Sequence, residues 1–150
     1  MYQIISKDES DHFLVNKLGG LLSLDFKKVV FSWSQRLVNS CLNYSLSVGY
    51  VCEEIQLPIM VLDCNSDTVM IRNPFIDFEC EVDSDIASII VNLFAYNTLA
   101  EKILANNEIN YSKKYFLIEK VISYRDSLFD KGLIYAKRKG QGKELRRLYK

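Results

Sequence analysis

Glu79–Ala100, ECEVDSDIASIIVNLFAYNTLA, holds a strand end, a helix start and a long apolar face in one run. Read with the residues just before it, its first part alternates. Ile76, Phe78, Cys80 and Val82 fall on one face, and Asp77, Glu79 and Glu81 on the other. Period two is the pattern of a half-buried strand, and it predicts one over Phe75–Val82. Asp83 or Ser84 then stands where a helix N-cap belongs, with Asp85 in the first turn. A short oxygen-bearing side chain there can serve unpaired N–H groups, and negative charge suits the positive end of the helix dipole. Ile86, Ile89, Ile90, Leu93 and Phe94 follow at the i, i+3, i+4, i+7, i+8 spacing of a helix face, so Ser84–Ala105 is expected to be a central helix.

Upstream, Met1–Gly20 is mixed in character and predicts a short helix or an arm. Asp25 is expected to cap a helix running to about Tyr44, with Phe26, Val29, Val30, Trp33, Leu37, Cys41 and Tyr44 on its apolar face. Val48–Leu57 and Ile59–Cys64 read as strands separated by Pro58, which cannot donate to a ladder. Asn65-Ser66-Asp67 marks a turn, Thr68–Arg72 a further strand, and Asn73-Pro74 a turn or bulge. Downstream, Asn106, Asn107 and Asn110 mark the exit of the central helix. A last helix is expected from about Ser112, with Tyr115, Ile118, Ile122 and Leu128 or Phe129 inward and a break at Gly132. Strands joined by turns with helices on either side predict an α+β fold. The expected architecture is an antiparallel sheet of about four strands packed by three or more helices, in one domain over residues 1–150.

The composition is that of an ordinary globular chain, 49% apolar and 25% charged. Met1–Gly20 is too charged to read as a secretory signal, and no apolar run reaches the roughly 18 residues of a membrane helix. Cys41, Cys52, Cys64 and Cys80 lie in apolar-patterned segments and read as buried free thiols of a reducing compartment. The net charge of zero conceals an asymmetry. Residues 51–101 carry ten acids and one base, a net of −9, residues 102–150 carry thirteen bases and five acids, a net of +8, and residues 1–50 carry +1.

Catalytic signatures are absent. His12 is the single histidine, so a Cys–His dyad would need it beside one of the cysteines. No CxxC pair, HExxH, glycine-rich phosphate loop or GxSxG elbow is present. No metal or cofactor is therefore expected, and the chain does not read as an enzyme. Trp33, Tyr44 and Tyr96 sit at helical spacings among core residues and read as packing.

Two charged features remain. The first is the acidic stripe of Asp77, Glu79 and Glu81, continued by Asp83 and Asp85. Alternate strand residues lie about 6.8 Å apart, a spacing comparable to that of phosphates along a nucleic-acid strand. Such a row suits a partner that normally meets DNA, and it is equally the solvated face of a strand. The second is the tail at 137–150, where seven of fourteen residues are basic. Lys137, Arg138, Lys139, Lys143, Arg146 and Arg147 are candidate phosphate contacts. The tail is expected to be mobile or only partly helical.

The central block also resembles a known family. FECEV as the strand, Asp83-Ser84-Asp85-Ile86-Ala87-Ser88 as the helix start and Leu93-Phe94-Ala95-Tyr96-Asn97 as the following run are similar to the signature of ArdB/KlcA antirestriction proteins. A weaker likeness covers Val30–Leu37 and Tyr44. The sequence departs from that pattern at Ser45–Tyr50, at Gln56-Leu57-Pro58 and at Ser88, where the family carries glycine-containing segments. The resemblance implies a bacterial, cytoplasmic, non-catalytic protein that protects incoming or mobile-element DNA from type I restriction. Its partner would be the type I restriction machinery, met directly or indirectly, with no membrane. The resemblance identifies no site residues; the acidic stripe is proposed from charge and geometry. An alternative is a nucleic-acid-binding accessory protein of a mobile element, acting through the basic tail. A third is a metal-dependent hydrolase using Asp77 and Glu79. Sequence leaves the oligomeric state open.

Overall fold

Helix and sheet meet at Asp83, where a hairpin strand passes without a break into the longest-buried helix of the molecule. The structure is a computed structural model, and it describes residues 2–38, 44–51 and 56–149. In chain order the elements are β1 (Tyr2–Ile4), α1 (Lys7–Leu18), α2 (Gly20–Leu37), β2 (Tyr44–Val51), β3 (Pro58–Cys64), β4 (Thr68–Asn73), β5 (Phe78–Asp83), α3 (Ser84–Ala105), α4 (Tyr111–Arg138) and α5 (Gly142–Tyr149). The class is α+β, as expected.

The strands form two antiparallel sheets, β1-β2-β3 and β4-β5, instead of one sheet of about four strands. Tyr2 pairs with Val51, Tyr44 with Cys64 and Tyr50 with Pro58 in the first sheet; Thr68 pairs with Asp83 and Asn73 with Phe78 in the second. The division has a visible cause. β4 does not pair with β3 because α3 occupies the outer edge of β3. Ser88 Oγ accepts from the Leu62 N–H at 2.8 Å. Asn92 Oδ1 accepts from the Met60 N–H and its Nδ2 donates to the Met60 carbonyl, both at 2.9 Å. The Tyr96 hydroxyl donates to the Pro58 carbonyl. Residues four apart on a helix thus serve residues two apart on a strand, and polar side chains satisfy an edge that would otherwise need another strand.

α3 follows the predicted bounds, and every residue from Ile86 to Tyr96 is buried. A helix apolar nearly all round belongs inside the protein. It packs on β3, α2 and α4, and its residues Ile86, Ile89, Ile90, Leu93 and Leu99 lie at the centre of a core shared with Phe26, Leu37, Ile59, Ile71 and Val121.

Several expectations are corrected. The helix expected from Asp25 is α2, which starts at Gly20, so Asp25 lies inside it, and it ends at Leu37, with Tyr44 opening a strand. Gly19, at φ 83°, joins α1 to α2, a conformation glycine adopts freely. α4 runs through Gly132 without a break because the missing side chain is what lets α4 approach α3. A Cβ there would lie 2.8 Å from Ile89 Cγ2. The inward face of α4 is Leu117, Val121, Leu128, Gly132 and Ala136, whereas Tyr115 is exposed in the first turns of α4, near the loop that joins it to α3. Cys64 and Cys80 are free but only half-buried, and Cys41 and Cys52 lie outside the described residues.

Candidate functional site

The acidic stripe divides in two. β5 begins at Phe78, so Asp77 belongs to the preceding turn and not to the strand. Asn73 Oδ1 accepts from the Phe75 N–H at 2.8 Å, building that turn, and Asp77 takes φ 49°. Aspartate tolerates the left-handed region better than most residues. Glu79 and Glu81 do alternate outward and are exposed. Thr68 Oγ1 donates to Glu81, Arg72 pairs across from Glu79, and the Arg72 guanidinium stands 3.9 Å from Asp77. The outward face of Asp77, Glu79 and Glu81 therefore keeps two net negative charges beside one arginine.

Asp83 and Asp85 are turned to the rest of the protein. Asp83 ends β5 at the N-cap position of α3, but its carboxylate makes no capping bond. It accepts from Gln141 Nε2 at 3.0 Å and pairs with Lys139 Nζ at 3.3 Å. That hydrogen bond raises the Lys139 pKa above its ordinary value. The Asp83 N–H donates to Gln141 Oε1, also at 3.0 Å. Asp85 uses one oxygen for the Ile86 N–H and the other for the Tyr135 hydroxyl, while its carbonyl accepts from Tyr2. Burial, then the Asp85 charge, pushes the Tyr2 phenol well up; burial and the Asp85 hydrogen bond raise Tyr135.

The tail is folded where a mobile or partly helical end was expected. α5 buries Leu145 and Leu148 completely, and Asn73 Nδ2 donates to the Leu148 carbonyl at 2.8 Å. The alternation of Leu and Arg in Leu145-Arg146-Arg147-Leu148 fits a one-sided helix, but nothing local says what it packs on. Arg147 lies over the Phe78 ring at 3.9 Å and Lys139 is paired to Asp83. Lys137, Arg138, Lys143 and Arg146 are exposed. The basic tail thus covers part of the acidic strand, and the two halves of the charge asymmetry meet.

A further polar junction escapes sequence reasoning. Asn97 Oδ1 accepts from Arg125 Nη1 at 2.9 Å, and Asn97 Nδ2 donates to the Tyr149 hydroxyl at 3.1 Å, joining α3, α4 and α5. Beside it, Trp33 stacks on Phe94 with ring centroids 4.8 Å apart, and Arg36 lies 4.3 Å over the indole. The run Leu93–Asn97 signals only a helix; the partners of Asn97 lie 28 and 52 residues away. Among the described residues, no three His, Cys, Asp or Glu side chains are grouped to hold a metal ion, and no helix is long and apolar enough to cross a membrane.

No protein-family model and no curated protein matches the sequence. The fold does have a match: 99% of this chain superposes on 92% of a solved chain, with a TM-score of 0.67 and 19% sequence identity. That solved structure is one of the KlcA and ArdB proteins, described as having a novel fold and antirestriction activity against type I DNA restriction systems in vivo but not in vitro, and what this chain shares with it is the fold.

Proposed function

We propose that this protein is an antirestriction protein, which lowers cleavage of incoming or mobile-element DNA by a type I restriction system through non-catalytic interference in the bacterial cytoplasm. The observation that carries the reading is the likeness of fold over nearly the whole of both chains, together with the Asp83–Ser88 and Leu93–Asn97 segments. The partner is the restriction machinery, reached directly or through another cell component. The neighbour acts in vivo but not in vitro, so the test belongs in cells. Asp77, Glu79 and Glu81 are the accessible acids for such a partner, and Asp83 and Asp85 hold the strand that presents them. Charge complementarity would speed the encounter and make it sensitive to salt.

The test is phage plating efficiency on hosts with and without a type I system, expressing the protein or an empty vector. Protection is expected only in the restricting host. Simultaneous Asp77→Asn, Glu79→Lys and Glu81→Lys should abolish it while leaving the melting temperature within a few degrees, since asparagine also tolerates the left-handed backbone at position 77 and exposed substitutions shift stability by about 0.5 kcal/mol or less each. Absence of protection across several type I systems despite folded protein would remove this function. Full protection by the triple variant would remove the acidic face alone. The rival reading, nucleic-acid contact through Lys137, Arg138, Lys143 and Arg146, predicts salt-dependent DNA binding that is lost on removing residues 137–150, with no protection in the restricting host.

A further inference from the structure

On α2, Lys28, Ser32 and Arg36 are spaced four apart and share one face. Thr98 and Lys102 do the same on α3. The two faces meet in a cleft of about 290 Å³, lined by Lys28, Val29, Ser32, Trp33, Thr98 and Lys102. Two lysines from opposite walls, two hydroxyls and an indole make up its polar lining, and no carboxylate takes part. Asp25 and Glu101, the acids nearest in sequence, do not line it. The ion pairs of the described residues include none to Lys28, Arg36 or Lys102. Three other cations are matched: Lys27 to Asp11, Arg125 to Asp126 and Lys139 to Asp83. Trp33 Nε1 donates to Thr98 Oγ1 at 2.8 Å. That commits the hydroxyl oxygen as an acceptor and leaves its proton to be donated. At the far end, Arg36 lies over both Trp33 and the exposed Phe75, at 4.3 and 5.8 Å from the ring centroids. Phe31, one residue from Ser32, is also exposed.

We propose that the α2–α3 cleft is a phosphate-binding site, in which Lys28 and Lys102 neutralise the anion and Ser32 and Thr98 donate hydrogen bonds to it. The inference is independent of the antirestriction reading. The source of the phosphate is either a small phosphorylated molecule or the backbone of a single-stranded nucleic acid. The second would use Phe31 and Phe75 as platforms for bases, since aromatic stacking beside cations is how sequence-tolerant strand binding works.

Trp33 is the only tryptophan of the chain and it lines the cleft, so its fluorescence reports the site directly. The full-length protein is titrated with inorganic phosphate and, separately, with a mixed-sequence single-stranded DNA dodecamer. The same titrations are made on Lys28→Gln/Lys102→Gln and on Lys137→Gln/Lys143→Gln, with circular dichroism melts to show that each is folded. The expected result is a saturable change in Trp33 emission, weakened at least tenfold in Lys28→Gln/Lys102→Gln and unchanged in the tail variant. Saturation by phosphate as readily as by the oligonucleotide assigns a small phosphorylated ligand; saturation at far lower oligonucleotide concentration assigns the strand. No saturable change with either probe overturns the proposal. So does binding that survives in the Lys28→Gln/Lys102→Gln protein or is lost only with the tail lysines.

Discussion

Asn92 shows how much a single side chain decides in this fold. Its amide bonds both the N–H and the carbonyl of Met60 and also donates to the Ser88 carbonyl at 2.7 Å, so every group of the pair is satisfied although the site is buried. An Asn92→Leu substitution keeps the branching and the number of heavy atoms and removes the bonds. Two buried backbone groups are then unpaired, each worth about 1–3 kcal/mol, and the expected loss is about 2–6 kcal/mol. Urea denaturation should show the midpoint falling with the slope unchanged. A midpoint within error of the parent would mean that the helix does not substitute for a strand at this edge. The row Ser88, Asn92, Tyr96 was not legible beforehand: polar residues at i, i+4, i+8 in an apolar helix are visible in the sequence, but their partners on β3 are 26 to 38 residues away.

At the scale of elements, two contacts set how α4 and α5 are held. Gly132→Ala would normally help a helix by about 1 kcal/mol. Here the added Cβ meets Ile89 Cγ2 at 2.8 Å, and overpacking of a core costs about 1–3 kcal/mol. The expected outcome is a lower melting temperature for Gly132→Ala alone, and a sign reversal in an Ile89→Ala background, where the obstructing methyl is gone. A double-mutant cycle of thermal melts measures that coupling. α5 has eight residues, well below the roughly 12–15 at which an isolated helix becomes even marginally stable. Its order therefore depends on Leu145 and Leu148. Leu148→Ala should cost about 2–5 kcal/mol of docking. Hydrogen exchange is expected to speed up across α5 with α3 still protected; slow exchange in α5 would show that its polar ties suffice. The docking explains the difference from the expected loose tail. A segment rich in lysine and arginine reads as solvated, and its two leucines become informative only once β5 and α3 are in place.

At the scale of the whole molecule, stability is set against alkaline pH. Burial is the main cause that raises Tyr2, Tyr96, Tyr124, Tyr135 and Cys80 above their ordinary values, 10.0 for the phenols and 9.0 for the thiol. The folded protein holds these protons to higher pH than the unfolded chain does. Stability from these groups is thus complete below the unfolded values and declines as pH rises through the folded ones. Urea midpoints measured from pH 8 to 11.5 should be level at first, fall from about pH 9 as Cys80 begins to matter, and fall more steeply beyond about pH 10 with the tyrosines. Tyr96→Phe should lower stability at neutral pH, by about 1–3 kcal/mol for the unpaired Pro58 carbonyl, and flatten the alkaline decline. A decline as steep as the parent's would rule Tyr96 out as a source of it.

The sequence by itself determined the parts that depend on local periodicity. Alternation marked Glu79 and Glu81 as an outward strand face, and the 3.6-residue spacing marked Ser84–Ala105 as the central helix. Those two signals suffice for the α+β class, because a sided strand and a helix apolar nearly all round each require a covering layer. The tertiary structure alone decided which surfaces cover which. It divided the strands into two sheets by placing Ser88, Asn92 and Tyr96 against β3. It turned Asp83 and Asp85 away from solvent through Lys139, Gln141 and Tyr135, more than 45 residues distant. It brought Lys28 to Lys102 across a cleft lined by no acid. Periodicity is written between neighbours a few residues apart, whereas edge satisfaction and ion pairing are made between residues that meet only when the chain has folded.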